Sequence, residues 1–127
     1  MTLTNALLVA LGAAVGAPLR YLTDRAVQLR HDTVFPWGTL VVNVTGCLIL
    51  GLLTGAASAG QVSEHLQLLI GTGLCGALTT YSTFSYETLR LTETGAGFYA
   101  AANVIVSVTA GLGAAFAGVS FAQALWT

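Results

Sequence analysis

Residues 73–87 read GLCGALTTYSTFSYE, and they place many hydrogen-bonding groups inside an otherwise apolar part of the chain. Five of the seven positions from 79 to 85 are serine or threonine, namely Thr79, Thr80, Ser82, Thr83 and Ser85. Polar groups are costly in hydrocarbon unless they find partners. The stretch therefore predicts a polar, irregular segment within a membrane helix.

The composition is that of a membrane protein. The chain has 127 residues, of which 55% are hydrophobic and only 7% are charged, whereas ordinary soluble domains have ~25% charged residues. Four uncharged runs, 1–19, 33–63, 66–86 and 94–127, are each about as long as the ~20 residues that cross a bilayer as a helix. We expect a single transmembrane domain, residues 1–127, with four helices at about 3–22, 37–57, 66–91 and 98–126.

The basic residues predict an orientation. The chain has no lysine, and its arginines lie in or beside the first and third predicted connections: Arg20, Arg25, Arg30 and Arg90. Cytoplasmic connections carry an excess of Lys and Arg, so we expect these two connections in the cytoplasm and both termini outside. Such a small number of basic residues forms no patch for nucleic acid, and no nucleic-acid partner is expected.

Small residues recur at the spacing that lets helices pack closely. G-x-x-x-G patterns occur at 12–16 and 51–55, and a related small-residue pattern occurs at 114–118. In lipid such patterns bring helix backbones together, within one chain or between chains. Because four short helices can hardly enclose a pathway and also cover it from lipid, we expect an oligomer.

Asn43 is a carboxamide in the second predicted helix, with Thr39 four residues earlier on the same face. Two interpretations stay open. The amide either hydrogen-bonds another helix and holds the two together, or its NH₂ group points into a polar pathway. Asn103 and Ser107 repeat the same spacing in the fourth predicted helix.

Glycine and threonine predict an interruption of the third helix. Gly71, Gly73 and Gly76 precede Thr79 and Thr80, and each glycine lowers helix stability by ~1 kcal/mol relative to alanine. Irregular backbone at membrane depth is tolerated only inside protein or beside a wet cavity. Carbonyls freed at such breaks are ligands for small cations. The alternative is a continuous helix with a glycine-rich packing face.

After the expected interruption, hydroxyls lie on several helical faces, and Tyr81 and Phe84 share another. Any single hydroxyl can bond back to a carbonyl of its own helix. Hydroxyls on several faces together favour the lining of a polar pathway over a contact with one neighbour.

No Asp, Glu, Lys or Arg occupies the middle of any predicted span. Proton-coupled pumps need an intramembrane titratable residue, and the nearest one, Glu87, lies near a helix end. His31 and His65 fall in connections, so no catalytic triad or dyad forms and we expect no enzyme. Cys47 and Cys75 are expected to be small buried hydrophobes, and without nearby histidines they do not predict a metal site. Neutral hydroxyls, an amide and ring edges suit a small ion or polar solute.

Three stretches, GAAVGAPLRY (12–21), WGTLVVNVTGCLILG (37–51) and GLCGALTTYSTFSYE (73–87), closely resemble the Fluc/CrcB family of fluoride channels. The resemblance covers three of the four predicted helices in order, and its third motif is highly specific. The fourth predicted helix also resembles the family, but less closely. The fold class implied is an all-α membrane protein with four transmembrane helices, helix 3 broken at mid-membrane, in an antiparallel, dual-topology homodimer.

The resemblance also implies a role for particular residues. Backbone carbonyls of Gly76 and Thr79 would hold one structural sodium ion between the two subunits. Arg20 would lie near a vestibule. Two ring positions, an amide and a polar track would line each of two fluoride pathways: Tyr81, Phe84, Asn43, Thr39, Ser82, Thr83 and Ser107.

Two features depart from the family pattern. Tyr81 stands where the family usually has phenylalanine, so a phenol either alters conduction or bonds away from the pathway. The uneven arginine distribution is larger than dual topology predicts, so a heterodimer with a paralogue stays open beside the homodimer.

These observations together predict a passive, fluoride-selective channel in the cell membrane that lets fluoride leave down its gradient. A first rival is a small four-helix drug/proton antiporter, which needs a carboxylate in helix 1, where residues 1–19 have none. A second rival is a non-conducting membrane scaffold, in which glycines and hydroxyls serve only packing.

Overall fold

The computed structural model describes residues 2–30 and 34–126, and His31 lies outside them. Within these ranges all regular structure is helical, and its segments are α1 (Leu3–Arg30), α2 (Trp37–Ser58), α3 (Glu64–Leu66), a π-helical segment (Gln67–Cys75), α4 (Gly76–Leu78), α5 (Ser82–Glu93) and α6 (Gly97–Leu125). Three of the described helices, α1, α2 and α6, are long and apolar enough to cross a membrane. The chain is therefore an all-α membrane protein, as its composition predicts.

The first helix is longer than the sequence predicts. It continues to Arg30, whereas we expected it to end at about residue 22 and to be followed by a connection. That prediction was wrong because the end of the apolar run was equated with the end of the helix. Arg, Gln, Leu and Ala are good helix formers, so α1 continues for about two further turns at 3.6 residues each.

The other predicted helices fall close to their expected places. α2 and α6 agree with the prediction to within one residue at each end. The third predicted helix is a path from Glu64 to Glu93 that is divided into four helical pieces, with non-helical backbone at residues 79–81. This interruption lies where the glycine and threonine residues predict it, and the alternative of a continuous helix is wrong.

The first glycine pattern packs α1 against the π-helical segment. A Cβ atom on Gly12 would overlap the carbonyl oxygen of Leu69, and one on Gly16 would overlap that of Leu74. Only glycine leaves room for this approach of helix to backbone. A π-helix is rare and carries a different side-chain register from an α-helix. The contact with α1 sets the direction from which this segment enters the interruption.

The second glycine pattern packs α2 against α6. A Cβ atom on Gly55 would lie 2.8 Å from the carbonyl oxygen of Val119, and one on Gly118 would lie 2.6 Å from that of Leu48. Gly51 makes a similarly close approach to α6. Because α2 also contacts α1 and the π-helical segment, it is the central helix, and the small-residue patterns serve packing within the chain.

Large apolar side chains cover the outside of the protein. They are exposed along the whole of α1 and α6, for example Leu7, Leu11, Leu112 and Phe116. Contiguous apolar surface of this extent is rare on soluble monomers. It is the surface expected of helices that face lipid.

Candidate functional site

The interruption between α4 and α5 begins at Thr79, whose backbone is extended (φ −80°, ψ 158°). The Thr79 amide and hydroxyl both donate to the carbonyl oxygen of Cys75, at 3.0 and 2.9 Å. The last carbonyls of a helix have no following turn to accept from, and Gly76 is exposed. Gly76 and Thr79, whose carbonyls the resemblance assigns to a cation, lie at this end of α4, and their role as ligands stays a prediction.

Asn43 of α2 holds the interrupted backbone by pairing with both main-chain groups of Thr80. Its Oδ1 accepts from the Thr80 amide at 2.7 Å, and its Nδ2 donates to the Thr80 carbonyl at 3.0 Å. The Thr80 hydroxyl in turn accepts from the amide of Thr83 at 3.1 Å, at the start of α5. Asn43 therefore makes the contact between helices that the first interpretation predicts. A carboxamide has two N–H groups, so one of them remains for another acceptor.

A chain of side-chain hydrogen bonds connects α6 to α5. Ser107 donates to Asn103 Oδ1 at 3.2 Å, Asn103 Nδ2 donates to the hydroxyl of Thr88 at 2.9 Å, and Thr88 donates to the carbonyl of Phe84 at 2.8 Å. Asn103 is fully buried. This series of hydrogen bonds holds α5, and with it Phe84, against α6.

The largest grouping of predicted site residues surrounds one cavity of about 450 Å³, which we call the central cavity. It lies beside the interruption and is lined by residues of α2, the third path and α6. Six of the residues to which the family resemblance assigns a role line it, namely Asn43, Gly76, Thr79, Tyr81, Phe84 and Ser107. The lining combines neutral polar residues with two aromatic residues, and its described residues include no Asp, Glu, Lys, Arg or His.

Two aromatic rings stand at the side of the central cavity. The ring centroids of Tyr81 and Phe84 are 6.5 Å apart with planes at 42°, within the usual range for an aromatic pair. Tyr81 is 81% exposed, whereas Phe84 is half-buried. Ring edges carry partial positive charge, so this pair can face an anion without a full charge.

The rest of the predicted polar track lies elsewhere. A smaller cavity of about 220 Å³, which we call the side cavity, is lined by Arg20, Tyr21, Asp24, Thr39, Val42, Thr80 and Thr83. Thr80 lies between the two cavities and lines both. Ser82 is exposed and lines neither. The residues predicted to form one track thus divide between two cavities, with Ser82 outside both.

The side cavity carries the charged groups. Thr39 is 2% exposed, and its hydroxyl donates to Glu87 Oε1. Arg20 Nε and Asp24 Oδ1 are buried and have no hydrogen-bond partner among the described residues. Because a polar cavity with unpaired buried groups is the kind that holds ordered water, this side of the interruption is suited to be hydrated.

Sequence reasoning missed the partners of two amides, the half-buried Asn43 and the buried Asn103. It did not identify the backbone of Thr80 as the partner of Asn43, or Thr88 as the partner of Asn103. The available signal was the amides themselves, because a buried amide in an apolar helix must be paired. The presence of these amides indicates that each needs a partner, but it does not indicate which residue that partner is.

Comparison with known proteins shows close relatives. Residues 7–119 match the model of the family described as CrcB-like protein, Camphor Resistance (CrcB). A protein of Streptomyces avermitilis named fluoride-specific ion channel FluC 1 is 84% identical, over 96% of this chain and 98% of that protein. Proteins of the same name from Frankia casuarinae and Nocardia farcinica are 66% and 53% identical, over 96% and 91% of this chain and 98% and 79% of those proteins.

Proposed function

The chain belongs to the CrcB family, and from that membership we propose that it is a fluoride-selective channel of the cell membrane. It crosses the membrane several times and performs no catalysis. Fluoride moves passively, so in a cell that accumulates fluoride the channel lets the ion leave down its gradient.

The observation that carries this proposal is the lining of the central cavity. Tyr81, Phe84, Asn43 and several hydroxyl residues line it together, and no charged side chain is among its described lining residues. Neutral donors can replace part of the hydration shell of a small anion and still release it, whereas a fixed cation would hold it. Fluoride, a small and strongly hydrogen-bonding anion, fits such a lining.

Ser107 contributes less than the resemblance implies. Its hydroxyl proton is donated to Asn103, so it presents an oxygen lone pair to the cavity in this arrangement. Thr39 likewise donates its proton to Glu87. The donors that we propose for the fluoride path are therefore Asn43, the ring edges of Tyr81 and Phe84, and the hydroxyl of Thr83, a residue of the side cavity.

We further propose that the working unit is an antiparallel, dual-topology dimer, formed by two copies or by this chain and a paralogue. Tyr81 lines the central cavity and is nevertheless 81% exposed, so a second subunit would cover this part of its wall. The end of α4 presents main-chain oxygens, which are ligands that suit a hard cation. Carbonyls of Gly76 and Thr79 from both subunits would hold one sodium ion, which supplies positive potential at the dimer centre.

Fluoride efflux from liposomes that contain the purified protein tests the function. The proposal predicts rapid fluoride release, recorded with a fluoride electrode, when a potassium ionophore dissipates the membrane potential. Proton-coupled uptake of a cationic drug would instead indicate an antiporter. The absence of any transport would indicate a scaffold, and either result would refute the proposal.

A further inference from the structure

A third cavity, which we call the outer cavity, adjoins the side cavity at Thr83. It has a volume of about 460 Å³ and lies among the end of α1, residues 34–36 and α5. Thr83 lines both the side cavity and the outer cavity, just as Thr80 lines both the central cavity and the side cavity. The three cavities therefore follow one another, and the outer cavity is the last of them, at the ends of α1 and α5.

One face of α5 runs along the outer cavity. Thr83, Glu87 and Arg90 occupy positions i, i+4 and i+7 of this helix, and all three line the cavity. Residues at this spacing share one helical face. Seven residues at ~1.5 Å each place the backbone of Arg90 about 10 Å further along the helix than that of Thr83. Arg90 thus lies on the same face as the proposed donor Thr83, two helical turns nearer the end of α5.

Arg90 is the only basic residue among the described residues that line the outer cavity. Glu87 lines it too, and its Oε1 accepts a hydrogen bond from Thr39. When ionised, this carboxylate repels an anion that approaches Thr83. Arg90 lies three residues further along α5, which is close enough to offset that charge. Its exposed guanidinium forms no hydrogen bond or ion pair with another described residue, so its charge is available to an anion.

We propose that Arg90 recruits fluoride to the path, with the outer cavity as its mouth. This inference rests on the proposed function and adds the place where the anion enters or leaves the chain. A positive charge beside a narrow polar passage raises the local concentration of a permeating anion. Because Arg90 is exposed to water, its attraction is weakened enough that the anion is drawn in without being held.

The contribution of Arg90 should depend strongly on ionic strength. Exposed charges interact over ~30 Å in ~0.01 M salt but only over ~3 Å in ~1 M salt. The separation of about 10 Å between Arg90 and Thr83 along α5 lies between these two lengths. Removing the charge should therefore lower the fluoride current about two- to fivefold at low ionic strength, and salt should abolish the difference.

Fluoride current across a planar bilayer of neutral lipids tests the inference. It is recorded in about 10 mM fluoride, first alone and then with about 1 M of the sodium salt of a large organic anion. The ratio of the two currents, taken on the same channels, is independent of how much protein is active. Arg90→Gln should lower this low-salt to high-salt ratio about two- to fivefold, and Arg90→Lys, which keeps the charge, should leave it unchanged. Arg30→Gln is the matched control, because it removes the same charge from an exposed side chain that lines none of the three cavities.

A purely structural role of Arg90 gives a different result. A basic residue in the last turn also stabilises a helix end, and losing that contribution would lower the current equally at both salt concentrations. The inference is overturned if the ratio for Arg90→Gln equals that of the wild type or of Arg30→Gln, or if Arg90→Gln carries no current at either concentration. A wild type without fluoride current would refute the proposed function itself, and this inference with it.

Discussion

Replacing Asn43 by aspartate should abolish fluoride conduction. The substitution keeps an acceptor for the Thr80 amide but removes the N–H group that donates to the Thr80 carbonyl at 3.0 Å. It also puts a negative charge on the wall of the central cavity. A fluoride ion passing ~4 Å from that charge, at an effective dielectric constant of ~20, would be repelled by about 4 kcal/mol. At 1.36 kcal/mol for each factor of ten, conduction should fall about 10³-fold.

The assay is fluoride efflux from liposomes at equal protein content, recorded at neutral and at alkaline pH so that the new carboxyl group is ionised in at least one condition. Asn5→Asp is the matched control. It makes the same chemical change in the first turn of α1, away from the central cavity, where the helix dipole favours negative charge. Efflux through Asn43→Asp as fast as through Asn5→Asp would refute the placement of Asn43 on the fluoride path.

Two stability predictions follow from the packing. Gly118→Ala should lower the free energy of unfolding by about 1–3 kcal/mol, because the added Cβ would meet the α2 backbone. Gly113→Ala is its control. The added Cβ there meets nothing within 4 Å, so the substitution should be neutral or stabilising by up to ~1 kcal/mol. Thr88→Val should cost about 1–3 kcal/mol by leaving the Asn103 amide without its partner. Thr92→Val, which removes only an exposed bond within its own helix, should cost less. Melting in detergent, followed by the loss of the monodisperse elution peak, measures all four variants, and equal melting temperatures within either pair would contradict the packing described.

The sequence was sufficient where local chemistry decides the structure. Charge-free runs placed α2 and α6 to within one residue, and the clustered glycine and threonine residues predicted the interruption after Leu78. It was insufficient for the end of α1, because helix propensity continues beyond the apolar run to Arg30. It also did not predict the π-helical segment, to which Gly12 of α1 makes a close approach at the carbonyl of Leu69.

The candidate site shows the same division. The polar and aromatic residues that line the central cavity could be named from their unusual residue types in an apolar chain. The pairing of Asn43 with Thr80 could not, since it joins residues 37 positions apart on different elements. The division of the predicted track between two cavities could not be predicted either. Thr39 and Thr83 line the side cavity rather than the central one, and this depends on the path of the backbone at Thr80 in three dimensions.

The central claim, that the protein is a passive fluoride-selective channel, is tested most directly by the reversal potential of the current across a planar bilayer. With a fluoride gradient and equal chloride on both sides, we predict a reversal potential at the Nernst potential of fluoride that stays fixed when a chloride or proton gradient is added. A reversal potential that follows chloride or pH, or a bilayer without current, would contradict the account.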